Sequence, residues 1–387
     1  MEGRVRRGIE WLRDAVAADE IHTVRVSFAD RLGGWRGKRV PALSFLESAD
    51  RPIGFCDGML VVDVHADLVQ ETPYSNYQTG YPDVYVHPEL AGIRPVGWAE
   101  GEAYVFGPLR DEHGRTARVA PASALERVAT RARRDDRVEQ VSLSLAGRLM
   151  RAPDDACDLE LGLILSPADR ILTHAADALT TAGIVVDTIE VDVGGRFRLS
   201  LAPMEATEAG EAGVVVKGAL KEIARAAGME AIFMTRTAEG ATPSTWTVEV
   251  GVSARSVEPS RVASLAEDAR GLLSPSITAF RAGPLTTGVR EDAGHVVVRV
   301  EASSEASPQT SIACAIAISL EAAAGRDGLG PVASLSEAAA RLEAADWLAD
   351  WLGEELPLNS APLLRAEQAM FDAAVTDWEL QRYWKAS

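Results

Sequence analysis

Two pairs of acids are spaced for joint chemistry. Asp158 and Glu160 lie two apart in DLELGLIL, and Glu190 and Asp192 repeat that spacing in TIEVDV. If both segments are strands, each pair projects from one face, because successive side chains alternate along a strand. Carboxylates are the hard oxygen ligands that magnesium and manganese take, so these acids are the candidates for a divalent-cation site. On spacing alone, solvated acids on an exposed sheet face are the commoner arrangement. A phosphate loop ending in Gly-Lys-Ser/Thr, a dinucleotide glycine pattern, a helical His-Glu-x-x-His and a Gly-x-Ser-x-Gly elbow are all missing from the sequence. The six histidines, His22, His65, His87, His113, His174 and His295, are too scattered for two to meet at helical or hairpin spacing.

The elements that must position these acids follow from apolar periodicity. A helix over 7–17, with Ile9, Leu12 and Val16 on one face, leads into a strand at HTVRVSF. Between Gly54 and Leu109, runs such as FCDGMLVVDV, YPDVYVHP and EAYVFGPL alternate with Gly, Pro and Asp, the pattern of a small sheet-rich domain. After Pro121 helices and strands alternate: a helix over 123–134, a strand over 140–146, DLELGLIL as a strand, and a helix in SPADRILTHAADALTTAG. Ser166 at the N-cap, Pro167 in the first turn and Gly183 beyond the end bound that helix. IVVDTIEVDV and RFRLSLAP are expected as strands joined at Gly194 and Gly195, followed by a long helix over 208–227 and the strands EAIFM and WTVEVGV. Further helices are expected over 259–273, 308–324 and 334–352, with a last one ending in TDWELQRYW. The chain is expected to be α+β, with one domain over 1–118 and another over 119–387.

A hydrophobic fraction of 47% over 387 residues supports a sizeable core and exceeds one ordinary domain. With 57 acidic against 39 basic residues, the net charge of −18 works against binding a phosphate backbone, so nucleic acid is not an expected partner. Cys56, Cys157 and Cys314 are widely spaced among apolar neighbours, as buried thiols rather than a disulfide framework or zinc cluster. The first residues show no apolar core of signal-peptide length, and no segment approaches the roughly 18 uninterrupted apolar residues of a membrane span. A cytoplasmic protein with no membrane partner is expected.

The order of segments over nearly the whole chain resembles the glutamine synthetases, including their gamma-glutamyl-amine ligase relatives. VRVSFADRLGGWRGKRVP resembles the family's opening strand and turn, and YPDVYVHPELAGIRPVGWAEGEAYVFGPLRDEHGRTARVAPASAL its Pro-Asp, Trp and Gly-Glu-Ala series. VVVKGALKEIARAAGMEAIFMTR resembles the helix and strand before the family's glycine- and histidine-bearing strand, and ASPQTSIACAIAISLEAAAGRDGL its Asn-Pro-Tyr helix. The resemblance implies a small beta-grasp N-terminal domain and a catalytic-type domain whose curved antiparallel sheet, flanked by helices, forms a funnel completed by a neighbouring subunit. It further implies ring-shaped homo-oligomers, and a reaction in which ATP phosphorylates a glutamate side-chain carboxylate that an amine then attacks. Magnesium or manganese ions neutralise the phosphates.

Carried over position by position, the family's first ligand pair falls on Asp158 and Glu160 and its next glutamate on Glu190, while the glutamate eight residues later falls on Arg198. Unit charges about 4 Å apart interact by about 4 kcal/mol at an effective dielectric near 20, so attraction for a cation becomes repulsion of that order. The two histidine positions fall on Thr247 and Glu249, and the strand glutamate falls near Val297 or Val298. Arg299 and Glu305 match the strand's Arg and the Asp before Asn-Pro, whose Asn is Ser307. TAFRAGPLTTGVREDAGHVVVRVEASSEASP crosses in a few residues what is a long flap-bearing segment in the family. The chain is therefore expected to be a diverged relative that does not make glutamine. Three readings stay open: a rebuilt ligase with one residual cation on Asp158, Glu160 and Glu190, and Arg198, Arg236 or Arg299 contacting a phosphate or carboxylate; a non-catalytic partner co-assembling with an active paralogue; and a binding protein for a small amino acid or amine.

Overall fold

A computed structural model describes residues 2–49, 51–134, 138–151, 167–192, 195–237, 241–292, 295–375 and Arg382. Helix α1 (Glu2–Ala17) buries Leu12 and Ala15 and feeds β1 (Ile21–Ala29), which pairs antiparallel with β2 (Trp35–Pro41). After α2 (Ala42–Glu47) come β3 (Ile53–Cys56), β4 (Asp83–Val86), β5 (Arg94–Pro95), β6 (Gly101–Phe106) and β7 (Leu109–Asp111). They form a four-stranded sheet in the order β2-β1-β6-β5, with β1 and β6 parallel, and a three-stranded sheet β3-β4-β7. The alternation of β6 feeds two cores. Ala103 and Val105 join the smaller one with Val24, Val26 and Phe28, whereas Tyr104 and Phe106 face the larger core of the rest of the chain.

The tight turn between β1 and β2 rests on Gly33, whose φ is +72° and where an added Cβ would lie 2.5 Å from Pro308 Cδ. Both the left-handed backbone and the close approach exclude a side chain. Gly33→Ala is expected to cost about 1–3 kcal/mol in urea unfolding, a strain penalty that an exposed alanine substitution would not show.

The larger part begins with α3 (Pro121–Arg134), β8 (Val138–Met150), α4 (Pro167–Thr181), β9 (Val186–Val191), β10 (Arg196–Leu201) and α5 (Ala206–Ala226). It continues through β11 (Glu230–Ile232), β12 (Thr245–Val252), α6 (Pro259–Asp268), α7 (Arg270–Leu273), α8 (Ile277–Phe280), β13 (Thr287–Asp292) and β14 (His295–Ser303). The helices α9 (Pro308–Ala323), α10 (Leu335–Ala344), α11 (Asp346–Leu352) and α12 (Glu355–Ala373) complete it. An antiparallel sheet runs β13-β14-β12-β8-β10-β9, with β11 added beside β8. Its apolar face carries Val248, Val250, Leu143, Leu145, Leu199 and Val298 into the larger core, under α5, α6 and α9. Helix α9 is apolar on every side and buried throughout its length, as its position between sheet and outer helices requires.

Two expected helices are broken. The helix over 259–273 breaks at Ala269, and that over 334–352 breaks at Ala345, after which Trp347 donates through Nε1 to Asp268 at the end of α6. The last helix among the described residues is α12, which keeps Pro362 inside it, and TDWELQRYW, where a last helix is expected to end, lies outside the described residues apart from Arg382. Among the described residues no helix is long and apolar enough to cross a membrane.

Candidate functional site

The sheet face turned away from the helices is polar, and pairing register fixes which side chains share it. On β12 and β14 the facing pairs are Thr245 with Ser303, Thr247 with Glu301 and Glu249 with Arg299. On the other side of β12, Thr247 stands opposite Ser144 and Glu249 opposite Ser142 of β8. Next to β8, β10 presents Ser200 opposite Ser144, joined Oγ to Oγ at 2.9 Å, and Arg198 opposite Ala146. Arg198 in turn pairs in register with Glu190 of β9.

A cavity of 340 Å³ lies on this face. Arg196, Arg198, Thr245, Glu301 and Ser303 form its floor, and the segment over 279–286 between α8 and β13 forms a wall. Arg198 donates through Nη1 to Thr247 Oγ1 at 2.9 Å and makes no other hydrogen bond or ion pair among the described residues. Arg196 is held to Asp192 at 3.4 Å, and its buried Nε has no acceptor among the described residues. Arg299 bonds Glu301 two residues along its own strand, and Arg290 pairs with Glu249 at 3.1 Å.

A buried hydroxyl cluster supports the same region. Glu305 accepts from Thr278 Oγ1 at 2.7 Å, from Thr235 Oγ1 at 3.1 Å and from Ser276 Oγ, while its own N–H donates to Ser303 Oγ. Glu305 also lines a cavity of 470 Å³ beneath the β1–β2 turn, where Lys217 of α5 donates to Ser304 O at 2.8 Å and Leu32 O at 3.4 Å. Burial, with Lys221 nearby, pushes the Lys217 amine down to about 8. Lys217 ties the turn after β1 to the loop before α9.

The sequence expectations divide accordingly. Glu190 and Arg198 are brought face to face, and Arg198 enters the cavity. Asp158 and Glu160 lie outside the described residues. Arg299 is placed on the same face, but its guanidinium is taken up by Glu301 and it does not line the 340 Å³ cavity. Arg236, on the loop after β11, lines neither of these two cavities, so it does not join Arg198. Val298 points into the apolar core, and Val297 is its half-buried neighbour on the strand. Arg196 and the hydroxyls of Ser144, Ser200 and Thr235 belong to no motif in the sequence. Only the alternating serines of QVSLSLAG hinted at a polar face.

Magnesium and manganese demand several oxygen ligands, mostly carboxylates. Here Glu249 and Glu301 are engaged by arginines, Glu190 stands opposite Arg198, and among the described residues no three His, Cys, Asp or Glu side chains converge on a common point. Among the described residues these donors do not by themselves make a divalent-cation site, and the other two candidate ligands, Asp158 and Glu160, lie outside the described residues.

No family model matches the chain. It is 25% identical over 243 residues to a glutamate–isopropylamine ligase of a Pseudomonas species, covering 58% of this chain and 53% of that protein. It is 26% identical over 246 residues to a gamma-glutamylethanolamide synthetase of Streptomyces coelicolor, covering 59% and 53%. The chain thus spans about half the length of these curated relatives. A ligand-free structure of GmaS superposes with a TM-score of 0.78 at 19% identity over 96% of this chain and 98% of that one. A glutamine synthase homologue gives 0.75 at 16% identity over 94% and 98%. The mixed architecture is therefore a glutamine synthetase-like α+β fold. With its sequence relatives, the chain belongs to the glutamine synthetase family as a strongly diverged member.

Proposed function

We propose that the inherited pocket of this chain is a receptor for a small carboxylate ligand of amino-acid size, and that the chain does not make glutamine. The observation that carries this reading is Arg198. Its guanidinium lines the 340 Å³ cavity and, among the described residues, spends only one N–H donor. A free guanidinium edge matches a carboxylate through two parallel hydrogen bonds. Cavities of about 300–1,000 Å³ hold small ligands, and this one is at the lower end of that range. Ser303, Thr245 and Thr235 add hydroxyls, and Glu301 offers a carboxylate edge to an ammonium group.

A second reading, an ATP-dependent gamma-glutamyl-amine ligase, is favoured by the names of the two sequence relatives. It would place one magnesium or manganese ion on Asp158, Glu160 and Glu190. Calorimetric titration with L-glutamate, with and without ATP and magnesium, separates the two. The receptor reading expects saturable glutamate binding that needs neither nucleotide nor metal, and no ADP release when an amine is added. Glutamate- and amine-dependent ADP release would establish the ligase instead. Self-assembly into a homo-oligomer, or co-assembly with a paralogue, belongs to the same proposal and is read by the mass of the purified particle. The division into domains over 1–118 and 119–387 draws on the two cores, and limited proteolysis near residue 118 tests it.

A further inference from the structure

The 470 Å³ cavity beneath the β1–β2 turn is basic in a chain whose net charge is −18. It continues into a cavity of 390 Å³, with which it shares Gly34, Trp35, Arg36, Gly218, Lys221 and Arg225. The larger arm is lined by five basic side chains, and the smaller adds Arg25, Lys38 and Arg39. Against these eight stand Asp30, Asp63, Glu230 and Glu305 in the larger arm and Glu222 in the smaller. Neither arm shares a lining residue with the 340 Å³ cavity, so a ligand here is independent of Arg198.

All five acids are already engaged. Asp30 accepts from the N–H groups of Leu32 and Gly34 at 2.9 Å and 2.7 Å and from Arg36 Nε at 2.8 Å. Asp63 accepts from His65 N and Asp67 N, each at 2.8 Å. Glu230 holds Arg225 at 3.2 Å, Glu222 holds Arg25 at 2.7 Å, and Glu305 is engaged by Thr278, Thr235 and Ser276. Three cations are in the opposite state. Arg31 donates through Nε to Val62 O at 2.8 Å, and among the described residues its two Nη groups have no acceptor. Lys221 has no hydrogen bond or ion pair among the described residues. Lys217, only 8% exposed, reaches two backbone carbonyls and no carboxylate. The three converge: Lys217 and Lys221, one turn apart on α5, lie 5.7 Å and 5.8 Å from the centre of the Phe233 ring, and Arg31 precedes the Leu32 carbonyl that Lys217 holds.

A buried cation without a carboxylate partner is a cost to the fold. Burial holds the Arg31 guanidinium down at about 10, although Asp30, Glu367 and Asp63 oppose the shift, and Glu367 is itself spent on Ile277 N at 3.3 Å. An anion seated among Arg31, Lys217 and Lys221 would offset that cost. A carboxylate brings one charge and two oxygens, whereas a phosphomonoester brings close to two charges and three acceptor oxygens, the better match to three cations approaching from a turn and a helix. We propose that this groove binds a small phosphomonoester, its phosphate among Arg31, Lys217 and Lys221 and its organic part in the 390 Å³ arm beside Trp35.

The test uses the full chain, with glycerol 3-phosphate and inorganic phosphate as probes, in calorimetry at pH 8 and constant ionic strength. Saturable binding is expected, tighter for the ester. Arg31→Gln and Lys221→Gln should each weaken it about tenfold or more, the scale of one charge-assisted contact. Lys221 is exposed, so its variant keeps the test open if Arg31→Gln fails to fold. Arg115→Gln makes the same charge change at an exposed turn outside the groove and should leave binding unchanged. Sulfate, a dianion that does not titrate in this range, reads the proton. Lys221, Asp30 and Glu305 face the Lys217 amine, which is partly neutral above about 8, and a bound dianion favours its charged form. Sulfate binding should therefore take up protons at pH 8.5 and none at pH 6.5. Absence of saturation at millimolar probe, unchanged affinity in the groove variants, an equal loss in Arg115→Gln, inorganic phosphate binding as tightly as the ester, or binding without proton uptake at pH 8.5 would each overturn the proposal.

Discussion

Asp268→Ala is expected to lower the stability of the chain by about 3–5 kcal/mol, the largest single loss among the substitutions considered, because it strands a buried charge. Asp268 is 2% exposed at the end of α6. It accepts from Arg341 Nη1 at 2.8 Å, from Leu329 N at 3.1 Å and from Trp347 Nε1 at 3.2 Å. One carboxylate thereby holds α10, α11 and the loop before α10 against α6. Among the described residues, alanine would leave the Arg341 guanidinium, itself 13% exposed, with only the carbonyl of Gly330, and would leave the indole N–H of Trp347 without an acceptor. Asp268→Asn keeps the shape and one acceptor oxygen, so it should cost roughly half as much. Urea unfolding monitored by tryptophan fluorescence reads both. A midpoint for Asp268→Ala within error of the parent would show that the cluster is relaxed by water and contributes little.

The parts of the fold that could be read from sequence are those where burial and periodicity agree. WTVEVGV alternates cleanly and became β12, and the all-round apolar stretch after Pro308 became the buried α9. The breaks at Ala269 and Ala345 had no local signal. Alanine favours helix at both positions, and the chain bends there because of what lies beyond it: Trp347 must turn to reach Asp268, a partner far away in sequence. Helix α12 carries Pro357 in its first turn and Pro362 further inside, residues that favour helix ends, so its extent is not marked by local propensity. In the site, the opposition of Glu190 and Arg198 follows from two strands joined by glycines, a local arrangement. The capture of Arg299 by Glu301 and of Glu249 by Arg290 depends on which neighbours turn to the same face and on side-chain reach, which residue types alone do not decide.

Arg198→Ala is expected to weaken glutamate binding by about tenfold to a hundredfold, the range set by hydrogen bonds to a charged group, with little change in melting temperature. The asymmetry follows from the contacts. Among the described residues the guanidinium gives a single bond, to Thr247, so its removal unsatisfies one hydroxyl that Ser144 and Glu301 flank across the strands. Arg198→Lys separates charge from geometry: an ammonium keeps the sign but cannot form the paired bonds of a planar fork, so it should recover part of the affinity and no more. Arg198→Glu carries the argument furthest. It sets a carboxylate opposite Glu190 across β9 and β10, which should abolish glutamate binding through repulsion and make the face more receptive to manganese. Manganese binding that appears in Arg198→Glu and is absent from the parent would tie the choice between anion and cation in this pocket to that one position. Glutamate binding that survives all three substitutions would remove Arg198 from the site.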